Sequence, residues 1–197
     1  MTLSRRTFLK LSGAAAVAAT LNPAWAAPPR QADSDPILHL LNRLSYGVRP
    51  DELDHARSIG YEAYLDEQLN PATIDDAGMD ARLAWLPVLN MDRATLARLA
   101  NDDYRAYIAI TEGMIQRAVF SRRQLYERVV EFWTDHFNVA EGDNNSELLI
   151  LHRDVIRRHA LGSFRSLALG VARTPAMLYY LDNYINVAEH PNENYAR

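Results

Sequence analysis

The stretch that decides the fold runs from Ser121 to Gly162 and reads SRRQLYERVVEFWTDHFNVA, a polar break EGDNN, and then SELLILHRDVIRRHALG. Apolar residues recur at helical spacing on both sides of the break, which predicts two amphipathic helices joined by a short loop. With about 100° between successive residues, His136 falls in the apolar stripe of the first helix, and His152 and His159 fall in that of the second. We therefore predict that the three imidazoles point into a shared interior. The apolar residues on these stripes are Leu125, Val129, Phe132, Leu148 and Val155.

Residues 1–26 have the layout of a twin-arginine signal peptide. The charged segment SRRTFLK at 4–10 is followed by a weakly apolar run to Leu21 and by the small-x-small site Ala24-Trp25-Ala26. The apolar run is too short and too rich in alanine for a membrane span, which needs about 20 strongly apolar residues. We therefore predict export by the twin-arginine machinery to the periplasm or the medium, with no stable membrane span after the signal is removed.

The mature chain is acidic and lacks cysteine. Loss of the leader removes Arg5, Arg6 and Lys10, which takes the formal net charge from −4 to −7 and leaves no lysine. An acidic chain argues against nucleic acid as a partner. The absence of cysteine excludes disulfides and thiolate chemistry, so an ordinary hydrophobic core must hold the domain together. Residues 27–35, which are rich in proline, alanine and polar residues, are predicted to be a linker.

Residues 36–197 are predicted to form an irregular, multi-helical, all-α domain, because no stretch alternates with the period of a strand. Asp35 and Pro36 supply an N-cap and a first-turn proline for a helix to Leu44, and Thr174 with Pro175 repeats this signal. The last residues, from Pro191, look like the opening of a helix that stops after barely a turn, so we expect a chain truncated at its C-terminus. The other predicted elements are helices at 50–58, 61–69, 91–100 and 103–120, a loop at 70–79, and a capping box at Ser121 and Gln124.

Several separate motifs occur in order along the chain. They are His39-Leu-Leu-Asn-Arg43-Leu-Ser-Tyr-Gly47, Trp133-Thr-Asp-His136-Phe137, His159-Ala-Leu-Gly162-Ser-Phe164, Pro175-Ala-Met-Leu178, Leu181-Asp182-Asn183 and Pro191-Asn-Glu-Asn194-Tyr-Ala-Arg197. Together with the export signal, these motifs resemble the bacterial proteins grouped as domain of unknown function 1800, over residues 36–197. The resemblance implies an exported protein, often encoded beside another exported family, which makes that family a candidate partner. It implies no particular reaction.

The motifs and the inward-facing histidines define the candidate site. We predict catalytic roles for His136, His159, Asp182 and Glu193, and a mixed nitrogen and oxygen site for a divalent metal at His136, Asp182 and Glu193. His152 and His159 lie about 10 Å apart along a helix, which prevents both from binding one ion. In the alternative interpretation the histidines only hydrogen-bond to carboxylates and carbonyls between packed helices. Further candidate residues are His39, Arg43, Trp133, His152, Asn183, Asn192 and Arg197.

Two functions from different classes remain open. The first is a metal-dependent or hydrolytic enzyme that acts on an envelope or extracellular polymer. The second is a non-catalytic binding or assembly partner of another exported protein, in which the same polar residues tie helices together. The sequence contains no Gly-x-Ser-x-Gly, P-loop or Gly-x-Gly-x-x-Gly pattern, which argues against serine hydrolases and nucleotide-binding proteins.

Overall fold

The computed structural model of the chain describes residues 35–98, 104–142, 144–193 and 195. The predicted signal peptide and nearly all of the predicted linker lie outside these residues. Within these residues every regular element is a helix. One isolated β-bridge joins Val187 and His190. The all-α prediction is therefore confirmed. None of the helices in the described part of the chain combines the length and the apolarity needed to cross a membrane.

The first three helices form a small layer with its own apolar core. They are α1 (Pro36–Leu44), α2 (Pro50–Ile59) and α3 (Tyr61–Leu69). The carboxylate of Asp35 caps α1 by accepting hydrogen bonds from the backbone N–H groups of Ile37 and Leu38, as the sequence predicted. Gly60 separates α2 from α3 with φ of 88°, a left-handed value that favours glycine. The buried side chains of this layer are Leu40, Leu41, Ala56 and Tyr64.

The next three helices are less regular than predicted. The stretch 70–79, predicted as a loop, contains a 3-10 turn (Pro71–Thr73) and the start of α4 (Ala77–Leu83). The helix predicted at 91–100 is the short α5 (Arg93–Ala97), and residues 99–103 lie outside the described part. The long helix α6 (Tyr104–Phe120) packs against a second 3-10 turn (Pro87–Asn90). The core around α6 contains Leu89, Leu96, Ala106, Ala109, Ile110, Leu149 and Ile150.

The central stretch forms two helices, as predicted, and two shorter helices follow. The first is α7 (Gln124–His136). The second, α8, runs through an α-helical segment (Asn145–Ile150), a π-helical segment (Leu151–Ile156) and a last helical turn (Arg157–His159). Then come α9 (Phe164–Ala172), α10 (Pro175–Tyr180), with the predicted Thr174 cap, and a 3-10 turn (Asn183–Ile185). Gly170 of α9 lies against α8 so closely that a Cβ there would be 2.8 Å from a methyl carbon of Val155.

The buried face of α7 is not the face that the sequence predicted. Its buried residues are Gln124, Glu127 and Val130, whereas Phe132 is 58% exposed and His136 is exposed. The apolar stripe misled the prediction because polar side chains take core positions here and have partners. Gln124, for example, accepts a hydrogen bond from the backbone of Tyr46 and donates to the carbonyl of Ser121. The inward placement of His136 was therefore wrong.

One local prediction in the central stretch also fails. Ser121 does not cap α7, because the helix begins at Gln124 after Arg123, and the Ser121 hydroxyl donates to Asp76 instead. In α8 the π-helical segment replaces i→i+4 with i→i+5 bonding, so the residues after it are rotated relative to an ideal α-helix. His152 is buried, but His159, beyond that segment, is only half-buried. The two histidines therefore differ in burial, and the single face predicted for both stays a prediction.

Candidate functional site

A cavity of about 390 Å³ lies between α6, α7 and α8 and takes one residue from the turn after α1. Its size is typical of sites for small molecules, which are mostly apolar with a few placed polar groups. The apolar and aromatic lining comes from Tyr46, Tyr107, Ile110, Met114, Ile115, Ala118, Phe137, Val139, Leu148, Leu151 and Ile156. The polar lining comes from Thr111, Glu131, Thr134, Asp135, Asn138 and His152.

His152 is the polar group at the buried side of this cavity. The residue is 2% exposed, it lies in the π-helical segment, and its Nε2 has no hydrogen-bond partner among the described residues. Burial lowers the pKa of this imidazole from 6.5 to about 3, with help from the positive charges of Arg157 and Arg117. The imidazole is therefore neutral at pH 7, and each ring nitrogen is either a donor or an acceptor. A π-helical segment within an α-helix is frequent at functional sites.

Two carboxylates mark the solvent side of the cavity. Asp135 is exposed and forms no hydrogen bond or ion pair with a described residue. Glu131 is half-buried, and one of its carboxylate oxygens lies 3.6 Å from Arg128 Nη1. Burial, with the nearby carboxylate of Glu131, raises the pKa of the Tyr46 phenol above its usual value of 10. The cavity is therefore neutral and buried at one side and negative at the other.

A buried ion pair lies behind the cavity. Both Nη atoms of Arg157 lie 2.7 Å from the carboxylate oxygens of Glu127, and the guanidinium also lies over the ring of Tyr126, 5.0 Å from its centroid. Burial lowers the pKa of Arg117 to about 10, and its Nη1 has no hydrogen-bond partner among the described residues. The positive charges of Arg157 and Arg117 both act on His152 and oppose protonation of its imidazole.

The structure places His136 in an aromatic cluster rather than in a polar site. Its ring contacts those of Phe132, Trp133 and Phe137, and it forms no hydrogen bond or ion pair with a described residue. Trp133 donates its indole N–H to the carbonyl of Ala160 and contacts the ring of Phe164. Two motifs that are separate in sequence therefore meet here, and Trp133 joins the end of α7 to the end of α8.

The other candidate residues lie at several places. His39 and Arg43 are exposed on α1, and His159 is half-buried with its carbonyl accepting from the N–H of Gly162. Asp182, with φ of 55°, lines a separate hollow of about 240 Å³ beside three tyrosines. Asn183 accepts a hydrogen bond from the side chain of Asn186, which itself accepts one from the N–H of Asn192. Glu193 is exposed, and Arg197 lies outside the described residues.

The described residues contain no group of three histidine, aspartate or glutamate side chains close enough to hold one metal ion. The set His136, Asp182 and Glu193 is therefore not assembled in this structure. Metal binding and the catalytic roles of His136, His159, Asp182 and Glu193 stay predictions.

Sequence reasoning identified His152 but missed the rest of its surroundings. The polar lining residues Thr134, Asp135 and Asn138 lie in the same short stretch as Trp133 and His136. Their spacing of one and three residues is helical, and it could have predicted a polar face at the end of α7. The burial of Glu127 and Arg157 could not be predicted from the sequence, because a charged residue in a helix is usually exposed.

Comparison with known proteins gives two matches. A family model described as "Protein of unknown function (DUF1800)" matches residues 39–197, which include every residue of the cavity. A model of the twin-arginine translocation pathway signal sequence matches residues 2–21. No curated protein and no solved structure matches the chain. Both the resemblance and the export signal predicted from the sequence are confirmed.

Proposed function

Since the chain belongs to the DUF1800 family and is exported from the cytoplasm by a twin-arginine signal, we propose that it binds a small, largely apolar molecule in the α6–α7–α8 cavity after export. The observation that carries the proposal is the unpartnered Nε2 of His152 beside that cavity. A buried polar atom without a partner costs about 1–3 kcal/mol. A ligand with one hydrogen-bonding group would remove that cost and gain the apolar contacts of the lining.

The finer functions predicted from the sequence do not use this cavity. A metal-dependent or hydrolytic enzyme acting on a polymer requires His136, His159, Asp182 and Glu193 to converge, and the described contacts give no such convergence. An assembly partner of another exported protein requires a surface rather than an internal site. Both stay predictions, and we prefer ligand binding because a cavity of suitable size and an unpartnered imidazole support it directly.

Filling the cavity with a larger side chain should weaken ligand binding. The probe is tryptophol, a neutral molecule with an apolar ring and one hydroxyl, and a dissociation constant on the order of a millimolar or tighter is expected from its size. Ala118 lines the cavity, so Ala118→Phe should weaken binding at least about tenfold by occupying the space. Isothermal titration calorimetry on the mature protein measures both affinities, with circular dichroism to confirm that the variant is folded.

The matched control is Ala63→Phe, which adds the same ring at an exposed position of α3. This variant should bind tryptophol as the wild-type protein does. The proposal fails if the wild-type protein does not bind tryptophol, or if Ala118→Phe binds it as tightly as Ala63→Phe does.

Export should depend on the arginine pair of the signal. Changing Arg5 and Arg6 together to lysine should leave the precursor in the cytoplasm, because the pair is the feature that distinguishes this leader from a general secretory signal. Cell fractionation and immunoblotting measure the distribution, with Lys10→Arg as a control that keeps the charge and the pair. Normal processing of the double variant would mean that another export route is used.

A further inference from the structure

The two sides of the cavity differ in chemistry, and this difference bears on the ligand. At the buried side, Leu151 and Ile156 are at most 2% exposed and surround the neutral His152. At the solvent side, Asp135 is exposed and Glu131 is half-buried, and both line the cavity from α7. A ligand that fills the cavity therefore has one part among apolar groups and another part beside carboxylates.

The negative charge at the solvent side is only partly balanced by the protein. Glu131 lies 3.6 Å from Arg128, but Asp135 has no ion-pair partner among the described residues. No arginine or lysine lines the cavity. This negative side repels an anionic ligand and attracts a cationic one, and the low-dielectric wall beside it strengthens the attraction.

Aromatic rings line the same cavity as these carboxylates. The guanidinium of Arg128 already lies 5.1 Å from the ring centroid of Tyr46, which leaves Tyr107 and Phe137 for a ligand. The face of an aromatic ring attracts a cation within about 6 Å of its centroid. An inorganic ion would not use the apolar lining, and no cluster of carboxylates and histidines suited to a metal exists among the described residues. An ammonium group attached to an apolar body satisfies the carboxylates, the rings and the apolar wall together.

We propose that the ligand is a small organic ammonium ion, whose largely apolar body fills the cavity and brings one N–H donor to Nε2 of His152, and whose ammonium group lies at the solvent side beside Asp135 and Glu131. This inference rests on the proposed function and narrows its ligand class. The unpartnered Nε2 of His152 is the second, independent sign of a ligand, since it is buried at the other side of the same cavity.

The test compares tryptamine with tryptophol, which share an indole ring and an ethyl arm and differ in an ammonium or a hydroxyl group. Calorimetry at pH 7 and low salt should give tryptamine an affinity about fivefold higher than that of tryptophol. Asp135→Asn together with Glu131→Gln should reduce the ratio to about one, because it removes both charges at nearly constant size. Glu112→Gln removes an exposed carboxylate of α6 that does not line the cavity, and it should leave the ratio unchanged.

The outcomes separate this inference from the proposed function. Equal wild-type affinities for the two probes, or a ratio that survives loss of both carboxylates, would overturn the ammonium ligand and leave the binding cavity in place. If neither probe binds, the cavity itself is not the site, and both proposals fail. A tryptamine preference that disappears in the Asp135→Asn, Glu131→Gln variant and also falls as salt rises supports the inference.

Discussion

Replacing Glu127 with glutamine is expected to lower the free energy of unfolding by about 3–5 kcal/mol. Glu127 is 6% exposed and the side chain of Arg157 is 14% exposed, so both charges of this pair are buried. The substitution keeps the shape of the side chain but leaves the guanidinium of Arg157 buried without its counterion. Arg117, whose positive charge also faces Arg157, would lose one of the carboxylates that offset it. Urea denaturation of the mature protein measures the change.

The control is an ion pair with a similar nitrogen–oxygen distance but a more exposed arginine. Arg93 Nη1 lies 2.6 Å from Glu147, but the arginine side chain is 55% exposed, so Arg93→Gln should cost less than about 1 kcal/mol. A second variant, Glu127→Gln with Arg157→Met, removes both charges and should recover part of the loss. A cost for Glu127→Gln as small as that of Arg93→Gln would mean that the pair is solvated and that the interior described here is wrong.

The second large effect concerns pH. The pKa of His152 is about 3 in the folded protein against 6.5 as its ordinary value, so between these pH values the unfolded chain binds the extra proton. The free energy of unfolding is therefore highest above pH 6.5, and it decreases as the pH falls towards 3. The free energy of unfolding falls by about 1.4 kcal/mol per pH unit in the middle of this range, which amounts to roughly 3 kcal/mol between pH 7.5 and pH 4.5. Denaturation curves at pH 7.5, 5.5 and 4.5 measure it.

Because many carboxylates also titrate in this range, the informative quantity is the difference between variants. Near His152, Arg157 on its own helix and Arg117 on α6 oppose protonation, while Glu131 and Asp135 line the cavity from α7. His152→Gln removes this titration and should lose less stability on acidification than the wild-type protein does, by roughly 3 kcal/mol at pH 4.5. His136→Gln, at an exposed histidine, should keep the wild-type slope. If the free energy of unfolding depends on pH in the same way for the wild-type protein and for His152→Gln, the imidazole of His152 is not buried.

Sequence reasoning worked where local chemistry decides the structure. The start of α1 at Pro36 and the start of α10 at Pro175 follow from an N-cap and a proline that act on their own backbone. The break between α2 and α3 follows from the conformational freedom of Gly60. These signals need no knowledge of the rest of the molecule. The helix α4, by contrast, is short and lies in a stretch with no clear apolar periodicity, and its existence depends on packing against α6.

The candidate site depends on tertiary structure, and most of it was beyond prediction. The apolar stripe of α7 pointed to His136, but the stabilising partners of Gln124 and Glu127 lie on other elements and turn the polar face inward. The π-helical segment that positions His152 is defined by its backbone hydrogen bonds, and no residue pattern in this stretch predicts it. The cavity itself needs three helices and the turn at Tyr46 to be in place. Of the candidate site residues named from the sequence, His152 therefore lines the cavity and the others do not.

The central claim is that His152 lies in a ligand-binding cavity, and NMR of its imidazole tests this most directly. The mature protein is labelled with ¹⁵N-histidine, the His152 signals are assigned by comparison with His152→Gln, and tryptophol is titrated at pH 7. The ring-nitrogen signals of His152 should shift saturably with the calorimetric dissociation constant, because Nε2 gains a hydrogen-bond partner, while those of the exposed His39 on α1 stay unchanged. Binding of tryptophol that leaves the His152 signals in place would contradict the account.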